Sequence, residues 1–237
     1  MTPIDAPVLR GSLVRLEPLR PSHAPDLALA AEEDRCAYAY TVVPRAGDTA
    51  EYVATQLARE GLTPFAQIRV RDGAAVGCTS LFNPRAWPGR EELIAVEIGW
   101  TWLAASAQRT GINAEAKLLL LTHAFETLKV ARADLKTDAR NHRSRRAIER
   151  LGAHFEGVLR SWSPSWAPGE EGKLRDSAIF SVTAAEWPAV KSSLTERVAR
   201  PDLAGRQDCH HPTTPWSLPY HRCTVRCLAA MMAASSK

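Results

Sequence analysis

The chain alternates between short apolar runs and longer stretches in which apolar residues recur at helical spacing. The short runs are bounded by turn residues and predict strands at residues 12–19, 65–70, 75–82, 93–103, 132–137, 154–160 and 176–183. The longer stretches predict helices at residues 22–33, 48–60, 111–128, 141–151 and 186–198. Strands come first and then alternate with helices. This order predicts an α/β (mixed α+β) fold, in which a mixed sheet carries helices on both faces.

Residues 200–237 depart from this pattern. Four prolines interrupt them, and no apolar period is visible. We therefore expect one domain over residues 1–199 and a disordered C-terminal extension over residues 200–237. The extension also holds Cys209, His210, His211, His221, Cys223 and Cys227. Structural zinc sites usually combine two close pairs of ligands, and no second close Cys pair accompanies Cys223 and Cys227, so we expect no metal.

Composition and charge narrow the function classes. The 237 residues are 45% hydrophobic and 24% charged, and the net charge is +4. Residues 200–237 hold five Lys or Arg and two Asp or Glu, so most of the excess positive charge lies in the extension. A nearly neutral domain does not favour nucleic acid as a partner. Because neither a signal peptide nor a membrane-spanning run is visible, and Cys36 and Cys78 are isolated, we expect a cytoplasmic protein.

The segment Gln108-Arg109-Thr110-Gly111-Ile112-Asn113 joins a predicted strand to a predicted helix. The first N–H groups of a helix have no partner within the helix, and the helix dipole adds positive charge there. Arg109 adds a full positive charge. This combination predicts a site for a ligand that carries phosphates. The segment lacks the Gly-Lys-Ser/Thr of nucleotide-hydrolysing loops and the three spaced glycines of dinucleotide-binding loops.

Two segments resemble one known family. The loop is similar to the pyrophosphate-binding signature Gln/Arg-x-x-Gly-x-Gly/Ala of the GNAT acetyltransferases, with Asn113 in place of the last Gly or Ala. Residues 138–153 resemble the segment Asn-x-x-Ser-x-x-x-x-Glu-x-Leu-Gly of its RimJ/RimL-type N-terminal acetyltransferases, beginning at Asn141. Shorter matches are found at residues 13–19, 97–100, 156–160 and 175–176, so the resemblance covers roughly residues 8–199.

The resemblance implies the GNAT fold, whose central twisted sheet of about seven strands is splayed at the cofactor loop. It also implies acetyl-CoA as co-substrate, with no metal, and direct transfer of the acetyl group to a primary amine. The acceptor stays open between a protein N-terminus and a small amine. A non-catalytic acyl-CoA-binding module is the alternative. The implied cofactor contacts are Trp102 and Leu103 for the thioester carbonyl, and Gln108, Arg109, Thr110, Gly111, Ile112 and Asn113 for the pyrophosphate.

Glu97 is the candidate general base. Alternation along the strand places it among Leu93, Ala95, Gly99 and Thr101, on the face opposite Ile94, Val96, Ile98 and Trp100. A carboxyl buried among small residues suits a general base that acts on the amine, through water as in the family. An ion pair between Glu97 and an Arg of a neighbouring element is the other interpretation.

The helix predicted at residues 141–151 supplies the remaining candidates. Ser144 falls on its buried face with Ala147, Ile148 and Leu151. Ser144 is the residue that the RimJ/RimL resemblance places near the leaving thiolate, to which its hydroxyl would donate a hydrogen bond. Asn141 would cap the helix and contact the pantetheine arm.

Three arginines and two tryptophans leave further alternatives open. The cluster Arg143, Arg145 and Arg146 is either a solvated helix face or a site for the 3′-phosphate of coenzyme A, with Arg146 as the assigned contact; RNA contact is a third alternative. Trp162 and Trp166 either line the acceptor pocket or pack in a homodimer interface.

Overall fold

A computed structural model describes residue 4, residues 7–90 and residues 92–200. Eight strands form one sheet. They are β1 (Leu9–Arg10), β2 (Val14–Pro18), β3 (Leu62–Arg69), β4 (Ala75–Ala86), β5 (Leu93–Leu103), β6 (Arg132–Asp138), β7 (His154–Pro164) and β8 (Leu174–Thr183). The helices are α1 (Ala24–Glu32), α2 (Thr49–Ala58), α3 (Ile112–Thr122), α4 (His142–Glu149) and α5 (Trp187–Ala199). A π-helical turn, His123–Thr127, extends α3.

The sheet has the strand order β1-β2-β3-β4-β5-β6-β8-β7. Among the described strands, β5 and β6 form the only parallel pair, and every other pair is antiparallel. The parallel pairing ends at Ile98 and Leu135. Beyond that point β5 stays paired with β4 as far as Leu103. The sheet is therefore splayed between β5 and β6, directly before the loop that leads into α3.

Helices cover both faces of the sheet. On one face, Tyr52 of α2 accepts a hydrogen bond from the Trp102 indole, 3.2 Å away. On the other face, Lys117 of α3 contacts Thr101, with 2.6 Å between Nζ and Oγ1. Phe65, Phe180, Leu16, Leu27 and Leu81 are completely enclosed, and one continuous apolar core holds both layers against the sheet.

The predicted mixed sheet with helices on both faces is confirmed, and five differences are informative. The two-residue strand β1 was not predicted, because two residues are too short for a visible alternation. Strand β3 begins at Leu62, three residues before the predicted start at residue 65, although Pro64 lies within it. Strand β4 continues to Ala86 instead of ending at Phe82. Strand β7 runs to Pro164 instead of residue 160. Of the two isolated cysteines, Cys78 is buried as a small apolar residue would be, whereas Cys36 is exposed.

Some predictions concern residues that the structure does not describe. The extension predicted at residues 200–237 lies outside the described residues from residue 201 onward, as does its Cys and His cluster. Within the described part of the chain, no helix has both the length and the apolarity that a membrane crossing requires.

Candidate active site

The opening between β5 and β6 forms the floor of a cleft of about 1420 Å³. Pockets that hold one drug-sized ligand usually measure about 300–1,000 Å³. The cleft is therefore large enough for a cofactor and an acceptor together. Most of the predicted site residues line it: Glu97, Trp102, Leu103, Gln108, Arg109, Gly111, Asn113, Asn141, Ser144 and Arg146. Thr110 and Ile112 do not; the Thr110 hydroxyl donates to the Ala107 carbonyl, and Ile112 lies in the core.

The loop before α3 is held in a turn that exposes the helix N-terminus. Gly111 is the N-cap residue and has a φ of +80°, in the left-handed region that favours glycine. A Cβ at this position would also lie 2.9 Å from Cδ1 of Leu13. Gln108 fixes the start of the loop, because its side-chain amide donates to the Leu103 carbonyl at 2.7 Å and its oxygen accepts from Arg143. The strand end, the loop and α4 are thus joined.

Glu115 anchors the other side of this loop. Its carboxylate is buried and accepts hydrogen bonds from the backbone N–H groups of Ser12, Leu13 and Val14 at 2.7–2.8 Å, and from the Ser12 hydroxyl at 2.7 Å. These bonds hold the β1–β2 turn against the first turn of α3. Since the Leu13 side chain lies beside Gly111, Glu115 positions the loop before α3 indirectly. The sequence signal for this role was a lone acid on the apolar face of a helix.

A bulge in β5 corrects the predicted alternation. Trp100 has a φ of +51°, and the pairing with β4 shifts by one residue between the Ser80–Gly99 and Cys78–Trp102 pairs. After the bulge, Trp102 lies on the face of Glu97 and Gly99. Thr101 lies on the opposite face, where its hydroxyl is 2.9 Å from that of Thr79. The predictions that Thr101 shares a face with Glu97 and that Trp100 lies on the opposite face were therefore wrong.

Glu97 is buried on the α2 side of the sheet and has two polar neighbours. The Asn83 amide donates to one carboxylate oxygen at 2.9 Å, and the Lys136 ammonium lies 3.3 Å from the other oxygen. The predicted ion-pair alternative therefore has a partner, although it is a Lys of the adjacent strand β6 and not an Arg. Since the carboxylate also lines the cleft, the pair does not close it off from an incoming amine.

The end of β5 presents its backbone to the cleft. The Leu103 carbonyl accepts from the Tyr38 hydroxyl at 3.0 Å and from Gln108, both on the side away from β4. The Trp102 carbonyl instead accepts from the Gln67 amide, whose nitrogen also donates to Cys78 of β4. Alternation therefore directs the backbone of Leu103, and not that of Trp102, toward the cleft. Burial raises the pKa of Tyr38 to about 12, so this residue, which the sequence did not identify, remains a hydrogen-bond donor.

The start of α4 carries Asn141 and Ser144 into the cleft. The Asn141 side chain caps the helix by accepting from the Ser144 N–H at 3.0 Å, as predicted. This bond uses the Ser144 backbone and leaves its half-buried hydroxyl free to act on a ligand. Of the arginine cluster, Arg143 and Arg146 line the cleft, whereas Arg145 packs over Phe155, 5.2 Å from the ring centroid. Arg150 and Arg197 line the same region and add to its positive charge.

Lys117 is the least expected member of the cleft lining. It is 5% exposed, and its ammonium contacts the hydroxyls of Thr101 and Thr79 at 2.6 and 3.0 Å. Burial lowers its pKa to about 7, so the amine is partly neutral near physiological pH. The residue lies one turn after Asn113 on α3. A lysine inside the apolar run from Ala114 to Leu121 was the signal for this site.

Aromatic and basic side chains line the α2 side of the cleft. Trp166 lies 6.1 Å from Trp100, measured between ring centroids, and both line the cleft. Trp162 does not line it and is 56% exposed. Trp162 and Trp166 therefore differ in position. Of the two, only Trp166 lies where it could line an acceptor pocket. Arg59 and Arg175 complete this side of the cleft.

Comparison with known proteins identifies the family. The acetyltransferase (GNAT) domain model matches residues 14–154, more than half of the chain. The chain belongs to the GNAT acetyltransferase family. A GCN5-related N-acetyltransferase from Brucella melitensis is 28% identical, with a TM-score of 0.70, over 81% of this chain and 85% of its own. A structure from T. thermophilus is 35% identical, with a TM-score of 0.68, over 80% of this chain and 96% of its own.

Two more distant GNAT structures share the fold. RimJ from Mycobacterium smegmatis, in complex with CoA-disulfide, is 21% identical with a TM-score of 0.63, over 78% of this chain and 88% of its own. RimL, a ribosomal alpha-N-protein acetyltransferase in complex with coenzyme A, is 17% identical with a TM-score of 0.58, over 74% of this chain and 97% of its own. None of the curated proteins compared with the chain matches it. The protein is an acetyltransferase, and acetyl-CoA is the acetyl donor that GNAT enzymes use.

Proposed function

We propose that the protein transfers the acetyl group of acetyl-CoA directly to a primary amine while both substrates are bound. The observation that carries this proposal is the opening between β5 and β6. It connects two sides of one cleft that carry different functional groups. The loop at Gly111 and the start of α4 lie at one side, where phosphates and the pantetheine arm would bind. Glu97 lies on the other, where an amine would approach.

The residues of the cleft suggest a role for each step. Glu97 would accept a proton from the ammonium of the acceptor, through a water molecule, to give the neutral amine. The amine nitrogen would attack the thioester carbon, whose oxygen would accept a hydrogen bond from the cleft-facing backbone N–H of Leu103. As the carbon–sulfur bond breaks, the thiolate of coenzyme A would accept a hydrogen bond from Ser144 and take up the proton that the attacking nitrogen loses, so that the amide forms and coenzyme A leaves as the thiol. Holding both substrates in line supplies much of the rate.

The cofactor contacts follow the same geometry. The N–H groups between Arg109 and Asn113 would bind the pyrophosphate, with Gly111 permitting close approach. Asn141 would contact the pantetheine arm. Arg146 would bind the 3′-phosphate, together with the neighbouring Arg143.

The acceptor class has two candidates. The match at Asn141 to Gly152 and the shared fold of RimJ and RimL support a protein N-terminal amine. A small-molecule amine is the alternative, and the cleft is large enough for either. A non-catalytic acyl-CoA-binding module is the competing function, because the contact of Lys136 with Glu97 could hold that carboxylate in a purely structural pair.

Steady-state kinetics test direct transfer. Initial rates measured over a grid of acetyl-CoA and amine concentrations should give intersecting double-reciprocal lines, as expected for a ternary complex. Mass spectrometry of the protein after incubation with acetyl-CoA alone should show no stable acetyl-enzyme that an added amine discharges. Parallel lines together with such an intermediate would contradict direct transfer.

A further inference from the structure

Two arginines on the α2 side of the cleft lack an acidic partner. Arg59 follows α2, and its guanidinium carbon lies 4.4 Å from the centroid of the Trp100 ring. Arg175 of β8 is half-buried, and its Nε donates to the Ser163 hydroxyl at 3.0 Å. Within the described part of the chain, no carboxylate lies within 4.0 Å of either guanidinium group. Burial lowers the pKa of both arginines below the ordinary value, because it removes water from their charged groups.

The acids nearby are already engaged by other cations. Glu97 contacts Lys136, and Asp138 and Glu170 both bind the guanidinium of Arg140 at 2.8 Å. Glu97 and Asp138 are close enough to Arg175 to interact with its charge, but neither forms an ion pair with it. A partly buried guanidinium without an acidic partner is costly, and its planar set of donors matches a carboxylate. An anionic group on a ligand would supply that partner.

Two aromatic rings line the same side of the cleft. The rings of Trp100 and Trp166 lie at 57° to each other, and the Arg59 guanidinium lies over the Trp100 ring. An acceptor bound here would contact the indole rings, would place its amine near Glu97, and would have Arg175 within reach of a neighbouring group. A polycationic amine would bring further positive charge toward Arg59 and Arg175, which repulsion disfavours.

We infer that the acceptor carries a carboxylate close to its amine, so that Glu97 receives the amine and Arg175, assisted by Arg59, binds the carboxylate. The inference rests on the proposed function, because it places the reacting amine at Glu97. The carboxylate has two sources: the free carboxylate of an amino acid, or an acidic side chain near the N-terminus of a peptide. Polyamines and other polycations are disfavoured in both cases.

Binding to the protein loaded with coenzyme A tests this inference without requiring turnover. The dissociation constants of two matched pairs would be measured by calorimetry: phenylalanine against phenylalaninamide, and the peptide amide Ser-Asp-Phe against Ser-Asn-Phe. Spermidine serves as the polycation. We expect the acidic member of one pair to bind at least about tenfold more tightly than its neutral partner. The pair that shows the preference identifies the source of the carboxylate. Equal affinities within both pairs, or tightest binding by spermidine, would overturn the inference.

Variants connect the preference to the arginine. Arg175→Gln should abolish the preference for the acidic ligand, and Arg175→Lys should retain part of it. Arg71→Gln, in the exposed β3–β4 turn, is the matched control and should behave like the unmodified protein. A preference that survives Arg175→Gln in a protein with an unchanged Tm would also overturn the assignment.

Thiol release with the same ligands separates this inference from the proposed function. If the acidic ligands bind preferentially but no amine is acetylated, the anion site stands and the proposed function fails. If amines are acetylated with no preference for a carboxylate in binding or rate, the proposed function stands and the anion site fails.

Discussion

Glu97 and Lys136 form the charged pair nearest to the proposed reacting atoms, and the two interpretations of Glu97 differ in what each partner contributes. If Glu97 is the base, the carboxylate is essential and the ammonium is not. If the pair is structural, loss of either partner leaves one buried charge uncompensated, which destabilises the protein. Matched variants of the two residues separate these cases.

Glu97→Gln keeps the size of the side chain and an oxygen that can accept from Asn83. We expect the rate at neutral pH to fall by about 10²–10⁴-fold, the usual contribution of a general base. The affinity for acetyl-CoA should be nearly unchanged, because the loop proposed to bind the phosphates lies at the other side of the cleft. Initial rates and acetyl-CoA titrations measure the two quantities.

Lys136→Met is the control for this variant. It removes the ammonium and keeps the carboxylate, so most of the activity should remain if Glu97 is the base. Parallel losses of activity and of Tm in both variants would show that the pair is structural.

Lys117 gives stability a defined dependence on pH. Its ordinary pKa is 10.5, and burial lowers this to about 7 in the folded protein. Between these values the unfolded chain binds more protons than the folded protein, so this residue makes stability rise as pH rises through that window. Below pH 7 the amine is charged in both states, and the full cost of burial remains. Each unit of pKa depression corresponds to about 1.4 kcal/mol.

Lys117→Met should therefore stabilise the protein most at low pH. The variant leaves the hydroxyls of Thr79 and Thr101 bonded to each other. Its free energy of unfolding, measured with denaturant, should exceed that of the unmodified protein near pH 6, and the difference should shrink toward pH 10. Lys173→Met, at an exposed position, is the control. A difference that does not change with pH would show that Lys117 remains charged when buried.

At the scale of elements, the loop before α3 depends on contacts with the N-terminal strands. Glu115→Gln replaces a carboxylate that accepts four hydrogen bonds with an amide whose nitrogen would face N–H groups. We expect the free energy of unfolding to fall by about 2 kcal/mol or more. Glu149→Gln, on the exposed face of α4, is the control for loss of charge. Equal stability of the two variants would contradict the anchoring role of Glu115.

The strands and helices also show which features of the fold and the site could be predicted from the sequence. The bounds of β5 and the cap at Asn141 were predictable, because alternation and capping are local signals. The bulge at Trp100 was not, because alternation assumes that paired strands stay in register. The partner of Glu97 lies 39 residues away on β6, and Tyr38 reaches Leu103 over 65 residues. Only the assembled sheet brings such residues together.

At the scale of the molecule, α5 packs on α3 and completes the described domain, with Trp187 stacked 5.3 Å from Phe125. The role of the residues after Arg200 stays a prediction. A chain that ends at Arg200 should keep its Tm and its affinity for acetyl-CoA within error, because four prolines and the lack of an apolar period give the extension little with which to offset its ordering entropy. A Tm lower by several degrees, or stoichiometric zinc in the full chain alone, would contradict this.

The opening between β5 and β6 gives the whole molecule a cleft suited to acetyl transfer. Measuring thiol release and acetylated product in the same reaction tests this function most directly. The purified protein would be incubated with acetyl-CoA and a panel of N-terminal peptides and small amines, and the released thiol would be quantified beside the N-acetylated product. We predict release that depends on the amine and equals the product mole for mole. If acetyl-CoA binds and raises the Tm but no thiol is released with any member of the panel, acetyl transfer is contradicted. That result would support a non-catalytic acyl-CoA-binding module.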